Sequence, residues 1–330
     1  PTYYRLVADN RMRPILLVAV EHKYEEGTSE YFHDLCAYPI RCTGEMYEHF
    51  LVQELKPLID ARFRTLPGPE HTALMGSSAA GVATYNIGLR HPDVFGHLGI
   101  LSPFFVQVDP GTLAETKQYR DYELSPHQKV WLDIGGAEGF FMPHHVKEAA
   151  DRWLARGARQ GVNVVYYHDP DAAHTETDWG RRAHMPLLYF FGSTGQAIGA
   201  ELHGPDVVGV DGPPAYVNAV VAHDSGFRFS DLQGRYATDN PDVLEVAPDG
   251  RLLPRTTGTA TVTYRYGEVT AQRSFRVVDR LSAFVEVELD IEVPPSTPDD
   301  ARIYTTFEVP KIARGKYGGT IRLPRGLTFQ

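Results

Sequence analysis

From residue 14 to residue 191, short apolar runs alternate with helix-length amphipathic segments, and this alternation most constrains what the chain can fold into. The runs fall at 15–20, 71–75, 98–101, 130–134 and 162–167; the amphipathic segments fall at 45–63, 80–90, 146–156 and 181–191. Strand, helix, strand, helix requires crossover connections, and these build a mostly parallel sheet with helices on both faces. Segments 15–20 and 162–167 are unbroken apolar or β-branched runs, as strands covered on both faces need. The expectation is an α/β domain over 1–194 with five parallel strands.

The texture changes near residue 195. Turn signals then recur about every ten residues: Asp211-Gly212-Pro213, Asp239-Asn240-Pro241, Asp249-Gly250, Thr257-Gly258 and Tyr266-Gly267. Between them 260–266 and 270–278 alternate, so an all-β sandwich is expected over 195–280. Residues 284–289 alternate strictly, and Pro294-Pro295 with Thr297-Pro298 marks a turn. About three strands fit before Gln330, so 281–330 is expected to be an incomplete β-sandwich.

Bulk properties exclude some partners. A net charge of −10 without a basic cluster argues against nucleic acid. No apolar run approaches the roughly 20 residues of a membrane span. Cys36 and Cys42 are the two cysteines, and their spacing permits a disulfide in an oxidising compartment. His144, His145, Glu148 and Asp151 match no strong metal signature, so neither metal nor cofactor is expected.

The most local chemical signal is Leu74-Met75-Gly76-Ser77-Ser78-Ala79-Ala80-Gly81. A short apolar run leads in and a helix-compatible run leaves, which is the setting of a nucleophile elbow. So tight a turn needs small residues two before and two after the serine, and Gly76 and Ala80 supply them. The helix start then aims free N–H groups at a reacting oxygen, with the Ala79 N–H as one oxyanion donor. Candidate partners follow in the order acid, then histidine. Run 129–134 leads into Gly135-Gly136-Ala137-Glu138, which puts Glu138 in the acid position, with Asp133 as its rival inside the strand. Run 162–167 leads into Asp169-Pro170-Asp171-Ala172-Ala173-His174, making His174 the candidate base and His168 its competitor. Ser102-Pro103-Phe104-Phe105 follows the next run; Phe104 and Phe105 either line an acyl or aryl pocket or belong to the core.

Together, Asp60–Pro67, His71–Ser78, Arg90-His91-Pro92-Asp93-Val94-Phe95-Gly96 and His174-Thr175-Glu176 with Trp179 and Arg182 resemble the putative-esterase family. That family includes esterase D, enterochelin esterases and feruloyl or acetyl-xylan esterases, and the resemblance spans about 10–192. It implies an α/β-hydrolase fold with Ser78 as nucleophile, Glu138 as acid and His174 as base. Trp179 joins Phe104 and Phe105 as an expected substrate-binding residue. Ala80 departs from the family's common glycine. The resemblance also implies strands N-terminal to Pro1, one followed by the loop that donates the second oxyanion N–H. A truncated segment with a complete triad and an incomplete oxyanion hole is therefore expected. Residues 205–279 resemble a bacterial Ig-like domain, and 284–307 the start of a starch-binding-type sandwich. Such modules imply an extracellular, cell-surface or periplasmic setting.

Two classes of function fit: a serine carboxylesterase acting on a small or polysaccharide-linked ester, and a non-catalytic adhesion or carbohydrate-binding protein with a hydrolase-like domain. A peptidase or acyltransferase would share the acyl-enzyme step.

Overall fold

The computed structural model describes residues 2–21, 27–33, 36, 41–108, 114–138, 142–292, 311–313 and 316–324. Its first unit is built on four parallel strands in sequential order, β1 (Ala73–Ser77), β2 (His97–Leu101), β3 (Lys129–Gly135) and β4 (Val164–Asp169). Helix α1 (Ser78–Arg90) links β1 to β2, and α2 (Met142–Ala155) lies between β3 and β4. Residues 81–89 of α1 are all buried, as expected for a helix that is apolar or small all round. Helix α2 is amphipathic: Val146, Ala149, Ala150 and Trp153, spaced three and four apart, enter the core. A helix at Thr2–Ala8, a helical run over 44–62 and two later helices, α3 (Glu176–Arg182) and α4 (His184–Phe191), also belong to this unit.

The register aligns the C-terminal ends of the strands: Ser77 pairs with Leu101, and Leu101 with Asp133. The loops leaving those ends therefore open on one edge of the sheet. That edge carries the site.

Segment 15–20 forms no strand, contrary to the five-strand expectation. Among the described residues β1 is the edge of the four-stranded sheet, and segment 15–20 and β1 both line an apolar groove of about 740 Å³ instead of pairing. Leu16 and Leu17 are 54% and 62% exposed. An apolar run becomes a strand only where another strand can take up its N–H and C=O groups.

Beyond Phe191 every regular element among the described residues is a strand. Strands β5 (Ala197–His203), β7 (Asn218–His223) and β8 (Arg228–Ser230) form one antiparallel sheet. Strands β6 (Val207–Asp211), β9 (Arg235–Thr238), β10 (Gly258–Tyr266) and β11 (Val269–Arg280) form another, in the order β6-β11-β10-β9. Leu202, Val220, Val262, Tyr264, Phe275 and Val277 pack in one apolar cluster between them. That cluster continues into the first unit through Trp131, Val165, Tyr167 and Tyr189. Trp131 meets Phe227 edge-on at 5.6 Å, and the Gln160 side chain accepts from the Leu232 N–H at 2.9 Å. The two units share a core rather than a linker.

Strands at Phe284–Glu292, Lys311–Ala313 and Lys316–Pro324 form a further antiparallel sheet, while the expected turn at 294–298 lies outside the described residues. Cys36 and Cys42 are disulfide-bonded, their Cα atoms 5.7 Å apart. Among the described residues no helix is long and apolar enough to cross a membrane.

Candidate active site

Ser78 sits at the junction of β1 and α1 with φ of +55°, the sharp, strained turn that lifts a side chain off the end of a strand. The turn closes only around small residues. A Cβ on Gly76 would lie 2.5 Å from the Ala80 carbonyl oxygen, so any larger residue there would push the turn open. Ala80 itself is accommodated. Ala79 lies in the first turn of α1, where backbone N–H groups have no partner within the helix.

His174 approaches from the loop after β4. Its Nε2 lies 2.8 Å from Ser78 Oγ, and its Nδ1 lies 2.8 Å from Glu138 Oε2. The loop is held by a cap at the start of α3: the Asp178 N–H donates to Thr175 Oγ1, while Thr175 Oγ1–H and the Ala173 N–H donate to Asp178 Oδ2. Trp179 then stands edge-on to the imidazole, with ring centroids 4.9 Å apart. The histidine is thus fixed from its own helix as well as by the carboxylate.

Glu138 comes from the turn after β3, and its side chain is fully buried. Its other oxygen, Oε1, accepts from the Gly135 N–H at 2.7 Å and from Ser102 Oγ–H at 2.5 Å. Gly135 permits this packing because a Cβ there would fall 2.1 Å from the Ala172 carbonyl oxygen, on the loop that carries His174.

Behind the carboxylate lies an arginine. Arg182, on α3 and 1% exposed, donates to Ser102 Oγ at 2.7 Å and to Asp133 Oδ1 at 3.0 Å; Glu138 Oε1 is 3.4 Å away. Asp133 also accepts from the Trp131 indole at 2.7 Å and from the Ser102 N–H at 3.2 Å. Burial raises the Asp133 pKa, although Arg182 pulls it down. Asp169 Oδ2 lies 4.0 Å from the same guanidinium, so Arg182 faces three carboxylates, two of them fully buried. In the sequence Asp133 is a rival acid that sits inside the strand and fits a structural role, and neither Ser102 nor Arg182 stands out there as a partner of Glu138. A carboxylate inside an apolar run was the available signal, because such a residue needs a buried partner.

The other expected residues divide. Phe104 is 38% exposed, and its N–H donates to the Ser78 carbonyl at 3.1 Å, which sets it beside the serine. Phe105 is not at the site. It is fully buried, with its ring 5.0 Å from Tyr85 and 4.4 Å from Tyr119. The Phe105 N–H bonds the Pro103 carbonyl at 2.8 Å, so the chain turns tightly at Phe104 and sends the two rings into different surroundings. His168 is pinned away from Ser78, its N–H donating to Ser230 Oγ and its carbonyl accepting from Asn218. Burial holds its ring at a pKa of about 4. His145 pairs with Glu115 at 2.8 Å, and no group of three or more metal-ligating side chains forms among the described residues.

The family model described as "Putative esterase" matches residues 1–184. A relative from Xylanibacter ruminicola, named endo-1,4-beta-xylanase/feruloyl esterase, is 32% identical over 100 residues, covering 29% of this chain and 12% of that protein. The chain therefore spans only a small part of that relative's length. Among solved structures, a ferulic acid esterase from Anaeromyces mucronatus is 16% identical with a TM-score of 0.35, covering 56% of this chain and 65% of its own. The enterobactin esterase of Shigella flexneri is 17% identical with a TM-score of 0.36, covering 43% and 37%.

Proposed function

Because the chain belongs to the family described as Putative esterase, we propose that it is a serine carboxylesterase in which Ser78 is the nucleophile, His174 the general base and Glu138 the orienting acid. The observation that carries this reading is the continuous pair of 2.8 Å hydrogen bonds from Ser78 through His174 to Glu138. The mechanism follows from the atoms. His174 Nε2 takes the Ser78 proton as Oγ bonds to the ester carbonyl carbon, and Glu138 stabilises the imidazolium through Nδ1–H. The carbonyl oxygen becomes an oxyanion against the Ala79 N–H. Collapse breaks the bond to the alcohol oxygen, which leaves with the proton from His174. Water then attacks the acyl-enzyme with His174 again as base, and the acid departs as Oγ regains its proton.

The substrate is an ester small enough, or exposed enough on a polysaccharide, to reach an open site. Phe104 supplies an apolar wall for an acyl or aryl group, and Trp179 acts by packing His174. The feruloyl-esterase part of the bifunctional relative's name supports a carbohydrate-linked aryl ester. The all-β unit is read as an Ig-like module and the last sheet as part of a starch-binding-type sandwich. Both suit an extracytoplasmic protein, as does the Cys36–Cys42 disulfide.

Stopped-flow hydrolysis of a p-nitrophenyl ester tests the reading. The expected trace is a burst of one p-nitrophenolate per enzyme followed by slower turnover, with both phases lost in Ser78→Ala. A linear trace unchanged in Ser78→Ala would overturn it.

A further inference from the structure

The chain leaves β2 through a tight loop over 102–104 that touches both ends of the proposed triad. On one side the Phe104 N–H donates to the Ser78 carbonyl at 3.1 Å. A Cβ on Gly81 would fall 3.0 Å from the Leu101 carbonyl oxygen and 3.1 Å from the Pro103 Cα, so α1 lies directly against the start of this loop. On the other side the Ser102 hydroxyl reaches Glu138 Oε1 at 2.5 Å. The nucleophile and the acid come from different loops, and this one is bonded to both.

Ser102 has φ of +40°, and among the described residues the other non-glycine residues with positive φ are Asn10 and Ser78. Such a backbone persists only where its surroundings fix it, and it gathers at functional sites. Here the surroundings do fix it. Ser102 is fully buried, its N–H donates to the Asp133 carbonyl at 2.9 Å, and the same N–H lies 3.2 Å from Asp133 Oδ1.

The direction of the hydroxyl follows from its neighbours. The Arg182 guanidinium can only donate, and it donates to Ser102 Oγ at 2.7 Å, so the one hydroxyl proton goes to Glu138. Ser102 Oγ therefore stands between the guanidinium and the carboxylate. Without the hydroxyl, Glu138 Oε1 keeps the Gly135 N–H at 2.7 Å, and Arg182, 3.4 Å away, becomes its next donor. Movement toward that donor would draw Oε2 away from His174 Nδ1.

We infer that Ser102 is a positioning residue for ester hydrolysis: its hydroxyl holds Glu138 in line with His174 while its loop holds Ser78. This role presupposes Ser78, His174 and Glu138 acting as proposed above. Ser102 touches no reacting atom, so its loss should slow the chemistry and leave substrate binding alone.

Steady-state hydrolysis of p-nitrophenyl acetate by Ser102→Ala, Ser102→Gly, Glu138→Ala, Ser102→Ala/Glu138→Ala and Ser78→Ala tests this role. Glycine accepts a φ of +40° and lacks the hydroxyl, so it separates the shape of the loop from the hydrogen bond. Both Ser102 variants should lose about 10- to 100-fold in kcat, with KM within about twofold of the parent's. In the Glu138→Ala background, Ser102→Ala should cost no more than about twofold further, because no carboxylate is left to hold. Parent-like kcat in a folded Ser102→Gly would overturn the role, as would losses that multiply in the double variant. Ser78→Ala distinguishes this failure from failure of the triad. Activity surviving in Ser78→Ala would remove the triad and the positioning role together, whereas an inactive Ser78→Ala beside a fully active Ser102→Gly would remove the role alone.

Discussion

The Arg182 guanidinium lies 3.0 Å from the Asp133 carboxylate, both fully or almost fully buried, directly behind the glutamate that meets His174. This pair sets the charge of the buried cluster. Without Arg182, two carboxylates would share a site from which water is excluded. Removing one partner of a buried ion pair costs about 3–5 kcal/mol, mostly from the charge left unpaired. Arg182→Gln should therefore lower stability by about that much in urea denaturation. Asp133→Asn added to it should recover at least half the loss, because the variant pair carries no unbalanced charge. Strictly additive losses would show that the two side chains act independently.

Gly135 controls the distance between the acid loop and the histidine loop. A methyl group there meets the Ala172 carbonyl oxygen at 2.1 Å, so the chain carrying His174 must shift. Displacements near 1 Å cost about a hundredfold in rate. Gly135→Ala should lower kcat/KM on any ester by about that factor while the protein stays folded by circular dichroism. Full activity in the variant would mean the loops are not held to this spacing.

His97 gives a pH signature for the fold. It is 5% exposed and stacked on Phe190, with a 5.1 Å centroid distance, while Nε2 bonds to the Glu70 carbonyl. Burial is the largest influence on its pKa, pushing it down from 6.5 to about 4. In that window the unfolded chain binds a proton that the folded chain refuses, so stability rises with pH from about 4 to 6.5. The slope from this group reaches on the order of 1 kcal/mol per pH unit. A non-titrating His97→Phe variant should show a flatter profile in urea midpoints over the same window. An identical slope would assign the acid sensitivity elsewhere.

Phe104 and Phe105 should separate cleanly. Phe104→Ala, at the exposed position beside Ser78, is expected to raise KM several-fold for aryl esters and little for acetyl esters, with kcat nearly unchanged. Phe105→Ala removes a fully buried ring and should cost about 3–5 kcal/mol of stability. Equal kinetic effects of both would contradict the placement of Phe105 in the core.

The β1–α1–β2 order was legible in the sequence because it is written locally: apolar run, small-residue turn, helix. Ser78, Glu138 and His174 each follow an apolar run, a local pattern that marks them as candidates, and the structure brings their side chains within hydrogen-bond distance. The Arg182–Asp133 contact was not, since it joins positions 49 apart through tertiary packing. Nor was the fate of segment 15–20. Its composition suits a strand, but strand formation depends on a neighbour that no local pattern reports. Phe105 was ambiguous because an apolar pair after a proline does not say which member turns inward.

Labelling with a fluorophosphonate probe, followed by peptide mapping, tests the central assignment most directly. The probe reacts with a serine only where a base has activated it. A single adduct on Ser78 is expected, abolished by Ser78→Ala and slowed by several orders of magnitude in His174→Ala. An adduct on Ser77 or Ser102 instead, or labelling of Ser78 that is indifferent to His174, would contradict it.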